Sequence, residues 1–193
     1  MTELDRPDSP ARHPATGRSE EVVLLDEAGR AVGTADKAAV HTGSTPLHLA
    51  FSCHVLDDAG RILVSRRALT KVTWPGVWTN AFCGHPAPGE RPEDAVTRRG
   101  RFELGLKIAG LELVLPDFRY RAVDASGIVE HEVCPVYTAH LVAGPVPEPS
   151  EVAEVAWVTP TDLRAAVAAA PWAFSPWLVL QLADPRLADR FTR

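Results

Sequence analysis

The run Pro92-Glu93-Asp94-Ala95-Val96-Thr97-Arg98-Arg99-Gly100-Arg101-Phe102-Glu103-Leu104, closed by Gly105-Leu106, is the clearest helix in the chain. Proline is tolerated in a first turn, where its missing N–H is not needed, and glycine accepts the backbone that ends a helix. Arg99 and Glu103 are four apart and share a face. As an ordinary solvated pair they contribute roughly 0.2–0.5 kcal/mol. Around this helix the chain alternates apolar runs with turns. Residues 21–26, 30–34, 49–56, 61–66, 111–120, 129–142 and 154–158 read as strands. Residues 37–48 contain Gly43 and Pro46 and read as a loop. Residues 71–88, rich in Trp, Gly and Pro, read as an irregular loop of the kind that carries function. Thr159-Pro160 opens a second helix over 161–169, and the aromatic segment 171–182 is expected to pack on the body. Strands on both sides of one central helix predict an α/β (α+β) layered domain.

The 193-residue chain suits one domain over 21–193, with a flexible arm at 1–20 that carries Pro7, Pro10, Pro14 and Gly17. The arm lacks the apolar stretch of a signal peptide, and no apolar run reaches membrane-spanning length. A net charge of -5 argues against a general nucleic-acid or membrane-surface role. Cys53, Cys83 and Cys134 make an odd count with no CxxC pair. That favours a reducing, cytoplasmic setting.

Chemistry concentrates in two short stretches. Thr79-Asn80-Ala81-Phe82-Cys83-Gly84-His85-Pro86 offers a thiol and an imidazole two apart, and Glu130-His131-Glu132 offers two carboxylates two apart. In extended chain, i and i+2 point to one face, so each pair can aim into one cavity. Two carboxylates buried together call for a cation or a shared proton; an exposed strand face is the other reading. His41, His48 and His85 with these acids would suit Mn, Fe, Co or Zn, although lone histidines are commonly surface or core residues. His13, His54, His131 and His140 have no such partner motif. Cys83, among polar neighbours, reads as catalytic; Cys53 and Cys134, in apolar strands, read as inert. Lys37, Arg66, Arg67, Lys71 and Arg99 could form an anion site near the thiol loop, since Arg binds phosphate oxygens in pairs and Lys adds a point charge. Trp74, Trp78, Trp172, Phe174 and Trp177 suit core packing, or a π face for a cation.

Gly84, Glu90, Arg98, Glu103, Gly105 and Leu106 resemble a degenerate Nudix box, in which a loop–helix–loop holds a divalent metal against a diphosphate. Where the usual box has glutamates, this chain has Arg99 and Phe102. That departure speaks against hydrolysis and leaves diphosphate binding in place.

Longer motifs, among them 46–52, 66–69, 74–80, 83–86, 116–122, 127–136 and 171–177, resemble type 1 isopentenyl-diphosphate isomerases from about residue 21 to the end. The resemblance implies a Nudix-type α/β/α sandwich with a mixed sheet. It implies an enzyme interconverting isopentenyl and dimethylallyl diphosphate by protonation and deprotonation through a tertiary carbocation. It assigns His41, His48, His85, Glu130 and Glu132 to a site described with Mn, Zn or Mg, and Glu103 to a Mg ion on the diphosphate. It assigns Lys37, Arg67, Lys71 and Arg99 to the diphosphate, Cys83 and Glu132 to proton transfer, and Tyr120 and Trp177 to the pocket and the cation. Glu132 is taken as the forward donor and Cys83 as the group that removes a proton. Position 131 is His where Asn is common in bacterial relatives, and its side chain is expected to point away from the site. The expected partners are a small diphosphate alone, with no nucleic acid or membrane, in a monomer or weak homodimer. A pyrophosphohydrolase and a diphosphate-binding module without turnover are the alternatives.

Overall fold

The computed structural model describes residues 20–191. The expected flexible arm, Glu20 apart, and His13 lie outside the described residues. Glu21–Leu25 (β1) and Ala31–Asp36 (β2) form the anticipated hairpin. A single helical turn, Lys37–Val40 (α1), follows, then His48–Leu49 (β3), Phe51–Leu56 (β4), Ile62–Arg67 (β5), Trp78–Thr79 (β6) and Phe82–Gly84 (β7). The long helix is Pro92–Leu104 (α2). Lys107–Leu115 (β8), Arg119–Val123 (β9), Val129–Val133 (β10), Val136–Ala143 (β11) and Val152–Val158 (β12) come next. Pro160–Ala169 (α3), Pro176–Ala183 (α4) and Pro185–Arg190 (α5) end the fold. None of these helices is long and apolar enough to cross a membrane.

The strands form two sheets rather than one. The first runs β2-β1-β3-β10-β9; the second runs β12-β5-β4-β11-β8, with β6 and β7 paired to β5 and β4. Both are mixed: β3–β10 and β4–β11 are parallel, and the other pairs are antiparallel. Three strands expected to be continuous (49–56, 111–120 and 129–142) each leave one sheet and enter the other. The breaks fall at Ala50, at Pro116–Phe118 and at Cys134-Pro135, and they are tied together. The Ala50 N–H donates to Val133 O, Cys134 N–H to Phe118 O, and Ser52 N–H to Pro135 O. Pro116 and Pro135 have no N–H to offer a ladder, so two of the three strands cannot run on. A crevice opens along this seam.

The second sheet is covered on both faces. Phe51, Cys53, Val55, Leu63, Tyr137 and Ala139 pack against Ala95, Val96 and Leu104 of α2. Their strand neighbours Ile62, Val64 and Val136 pack on the other face against Leu163, Leu178 and Leu187 of α3, α4 and α5. Alternation along each strand thus serves two cores, as in the expected α/β/α sandwich. Each fully buried Leu or Val contributes about 1.5–3 kcal/mol.

Two glycines fix the helix in place. Gly105 takes the left-handed conformation, φ 58°, and its N–H and that of Leu106 satisfy the Arg101 and Gly100 carbonyls. Gly84 lets β7 approach closely: a Cβ there would lie 2.8 Å from Arg99 Cγ and 2.9 Å from Phe51 Cζ. Before the helix, Arg98 donates from Nε and Nη2 to both oxygens of Glu90, while Glu90 accepts the Ala87 N–H. This clasp closes the loop onto the helix. Three local expectations change. The segment 71–88, read as an irregular loop, contains β6 and β7, which pair with β5 and β4. The segment 37–48 includes α1, whose N-cap Asp36 accepts from Ala38 N–H. The segment 171–182 packs on the body from Phe174 onward, whereas Trp172 before it is 83% exposed.

Candidate active site

Secondary structure delivers the candidate residues to the seam from strands of both sheets and from the helices beside them. Lys37 begins α1 and His41 caps its end, so both lie on one side of a single turn. His48 on β3 stands in register with Glu132 on β10, and Tyr120 on β9 stands opposite Glu132 on the other flank. Cys83 on β7 pairs with Ser52 on β4, and His85 follows two residues on, on the same face. Trp177 opens α4, whose N-cap Ser175 accepts from Leu178 N–H. Cys83, His85, Lys37, His41, Arg67, Lys71, Arg99, Glu103, Tyr120, Glu130, Glu132 and Trp177 line one cavity of about 270 Å³. His131 projects to the opposite side of β10, toward Arg119, Arg121 and Glu27.

At one end of the cavity three imidazoles and one carboxylate converge. One donor atom each from His41, His48, His85 and Glu132 lie within 4.8 Å of one another. Glu132 Oε1 is 3.2 Å from His85 Nε2 and 3.5 Å from His48 Nε2. His48 Nδ1 lies 2.9 Å from the Pro46 carbonyl, so it carries a hydrogen, and in the neutral ring Nε2 is left as a bare lone pair. His41 Nε2, His48 Nε2 and His85 Nδ1 are buried without a hydrogen-bond partner among the described residues. A lone pair facing a carboxylate is repulsive unless a proton or a cation lies between them. At His41 protonation is resisted: burial, then the neighbouring His85 and His48, hold it down to about 4. Burial also lowers His85. His48 goes the other way, because the hydrogen bond and charge of Glu132 outweigh its burial. This donor set fits a divalent transition metal.

Glu130 stands beside this cluster rather than in it. Its oxygens accept from Thr73 Oγ1 at 2.6 Å and from Tyr120 Oη at 3.0 Å. Burial and the charge of Glu132 push Glu130 up to about 7. Glu132, equally buried, is held well below the usual carboxylate range by His48 and His85. The expected metal ligands therefore divide: four converge, Glu130 adjoins them, and Glu103 lies at the other end on α2.

The thiol lies between the two ends. Cys83 Sγ is 3.2 Å from Ser52 Oγ and donates to Asn80 Oδ1 at 3.4 Å. Burial pushes the thiol up to about 12 against these hydrogen bonds, so it is protonated at rest. Asn80 Oδ1 also accepts from Trp177 Nε1 at 3.1 Å. Trp177 packs against Trp74 and Tyr120, with ring centroids 5.5 and 5.6 Å away, and carries the Arg67 guanidinium 5.5 Å above its ring. Its face already receives a cation.

The other end is basic, and its cations are paired. Lys37 is bonded to Glu20 and Lys71 to Glu151. Arg99 donates to Glu103, with Glu151 at 3.5 Å and Glu20 at 3.9 Å. Arg67 donates to the Thr73 and Trp74 carbonyls. Arg66 does not join them; it pairs with Glu154 on the neighbouring strand. Phe102, where the usual box has an acid, is 54% exposed with Arg99 stacked 5.0 Å from its ring. Sequence reasoning missed Glu151 and Thr73. Glu151 follows a proline-rich connection and Thr73 sits in an irregular loop, and neither carries a local signal.

Two mixed sheets, a loop–helix–loop and a cation-ready crevice define a Nudix protein, and the chain matches the NUDIX domain over residues 46–178. Solved structures agree on the fold. A protein from Deinococcus radiodurans superposes with a TM-score of 0.67 at 20% identity, covering 90% of this chain and 100% of its own. A MutT protein from Methanosarcina mazei gives 0.56 at 16% identity, over 77% and 94% of the two chains. Within that class the chain belongs to the isopentenyl-diphosphate Delta-isomerase family. It is 63% identical to the Agromyces mediolanus enzyme of that name over 185 residues, 94% of this chain and 89% of that one. It is 65% identical to the Leifsonia xyli enzyme over 165 residues, 84% and 89% of the two chains.

Proposed function

We propose that the protein interconverts isopentenyl and dimethylallyl diphosphate. The observation that carries this reading is that Cys83 and Glu132, on different sheets, face one cavity with a basic end and an aromatic wall. Moving an unactivated double bond requires a proton delivered at one carbon and another removed two carbons away, from groups flanking a flat C5 unit. In the forward direction Glu132 gives its proton to the terminal carbon of the alkene, and the electron pair of the double bond forms the new C–H bond. The positive charge falls on the tertiary carbon. Cys83 then takes a proton from the carbon beside the diphosphate arm, and that C–H pair becomes the new double bond. The resting state, with a protonated thiol and an ionised Glu132, corresponds to the enzyme after a forward turnover or before a reverse one. Glu130 stands beside Glu132 in the same pocket. Tyr120, whose phenol is kept protonated by burial and by the charge of Glu130, holds that acid in place. Trp177 offers its π face to the cation, and the buried wall around it keeps out water that would trap the cation as an alcohol.

We assign His41, His48, His85 and Glu132, with Glu130 as a fifth ligand, to Mn²⁺ or Zn²⁺ (Mg²⁺ being the alternative), and Glu103 to Mg²⁺ arriving with the diphosphate. A divalent cation at the histidine end supplies the positive charge that relieves the lone-pair repulsion and polarises the Glu132 carboxyl group. Lys37, Arg67, Lys71 and Arg99 receive the diphosphate. A working free thiol needs a reducing compartment, so we place the protein in the cytoplasm, as a monomer or weak homodimer. Hydrolysis is disfavoured by Arg99 and Phe102, which remove two acids from the metal-binding box.

Incubation with isopentenyl diphosphate and Mg²⁺ in deuterated water, followed by proton and phosphorus NMR, tests the reading. Deuterated dimethylallyl diphosphate with the diphosphate intact supports it. Released phosphate would point to a hydrolase, and an unchanged spectrum with Mn²⁺ or Zn²⁺ added would leave a binding module.

A further inference from the structure

Behind Cys83 lies a set of buried polar side chains that neither end of the cavity uses. Ser52, His54 and Gln181 are each 0% exposed, and none lines the cavity. Gln181 comes from α4, 129 residues from Ser52 in sequence. Polar groups so deep are commonly hydrogen-bonded; His54 Nδ1 has no partner among the described residues, and the bonds that the set does make have a direction. Gln181 Nε2 donates to Ser52 Oγ at 2.8 Å. Its Oε1 faces His54 Nε2 at 2.9 Å, so that nitrogen carries the hydrogen and donates to it. Burial holds His54 down to about 4, so the ring stays neutral.

With its oxygen already accepting from Gln181, the Ser52 hydroxyl hydrogen is free to donate to sulfur. Cys83 Sγ is the nearer at 3.2 Å and Cys134 Sγ is at 3.5 Å. On the other side of Cys83 the amide of Asn80 is equally constrained. Both its hydrogens are used, by Cys53 O at 3.0 Å and Phe82 O at 2.7 Å, so its oxygen must face the thiol. Asn80 Oδ1 also accepts from Thr79 Oγ1 at 2.9 Å and from Trp177, which leaves it no other orientation.

We propose that Gln181, acting through Ser52, is a positioning residue for Cys83: it turns the Ser52 hydroxyl into a fixed donor to the sulfur, so that the sulfur's remaining direction is the substrate cavity. Asn80 is the matching fixed acceptor, and it ties the thiol to the Trp177 indole through one oxygen. Without Gln181 the Ser52 hydroxyl is free to rotate and the sulfur loses a defined donor. The side chains of Ser52 and Gln181 hydrogen-bond to Cys83, Cys134, His54 and each other, and to none of Lys37, Arg67, Lys71 and Arg99 among the described residues, so the partners of the diphosphate end stay in place.

The proposal rests on the isomerase reading, and wild-type turnover measured alongside keeps the two apart. Ser52→Ala, Gln181→Met and the double variant would be assayed with isopentenyl diphosphate, with thermal melting to certify the fold. Each single variant should lose about tenfold in kcat, the factor of a hydrogen bond of ordinary to charge-assisted strength, with KM within about twofold. The double variant should be no slower than the worse single one, because both break one path. Gln181→Glu keeps the shape but, as a carboxylate, draws the Ser52 hydrogen to itself; it should lose kcat at least as strongly as Gln181→Met. Near-normal kcat in Ser52→Ala, losses that multiply in the double variant, or kcat and KM moving together would overturn the proposal. Should neither Gln181 variant fold, Ser52→Ala, the smallest change, decides alone. A wild type that does not isomerise removes both readings.

Discussion

The two ends of the crevice handle charge in opposite ways. At the histidine end, His41 Nε2 and His48 Nε2 have no hydrogen-bond partner among the described residues and gather with His85 around an ionised Glu132. At the basic end, Lys37, Lys71 and Arg99 are already matched by Glu20, Glu103 and Glu151. The first end is a set of donors that suits a cation. The second holds cations neutralised by carboxylates, so an arriving dianionic group must compete with them or bring its own metal. Binding at the two ends is therefore expected to respond to different perturbations.

Glu132→Gln breaks the contrast most severely, because Glu132 serves the histidine end and the chemistry at once. It should cost about 10²–10⁴-fold in kcat, the range of a lost acid–base group, and also lower the bound metal measured by elemental analysis. Cys83→Ala should lose turnover on the same scale while metal content and melting temperature stay near wild type. Metal loss in that variant would tie the thiol to the cation site. Next in size is the cation itself. Mn²⁺ or Zn²⁺ at about 100 times its dissociation constant should stabilise the folded protein by about 2.7 kcal/mol, or about 5–10 °C in melting temperature for a chain of this size. A chelator should reverse the gain, and His48→Ala should shrink it. An equal gain in His48→Ala would place the metal elsewhere.

At the basic end, Arg99→Ala should raise KM about 10–100-fold, as expected for charge-assisted hydrogen bonds of 1.5–3 kcal/mol, with kcat little changed. A loss in kcat alone would move Arg99 from binding to chemistry. Glu151→Gln is the finest test. Removing the competitor for Lys71 and Arg99 should lower KM by about two- to fivefold, the worth of a partly exposed ion pair. A higher KM would show instead that Glu151 holds these cations in position.

Much of the site was legible because its signals are local. The Cys83–His85 and Glu130–Glu132 pairs are two residues apart on strands, and the box spacing from Gly84 to Leu106 lies on one loop and one helix. The helix itself was marked by Pro92 and Gly105. Strand continuity was misread where the chain changes sheets, although Pro116 and Pro135 stood in the sequence as signals. A run of apolar residues looks the same whether it serves one sheet or two. The α1 turn was hidden by Gly43 and Pro46 further on, even with Asp36 available as a cap. Glu151, Thr73, Ser52 and Gln181 left no trace, because each acts on a partner far away in the chain.

By itself the sequence determined the inventory: which acids, imidazoles, thiol and cations exist, which of them share a face, and which family motifs they belong to. Only the tertiary structure decided what each group is. Glu130 and Glu132 occupy one face of one strand and are alike on paper. Burial and the charge of Glu132 push the first up to about 7, whereas two imidazoles keep the second ionised. The reason is physical. Periodicity and capping depend on neighbours along the chain. Protonation, pairing and orientation depend on burial and on charges brought together from strands and helices that are distant in sequence.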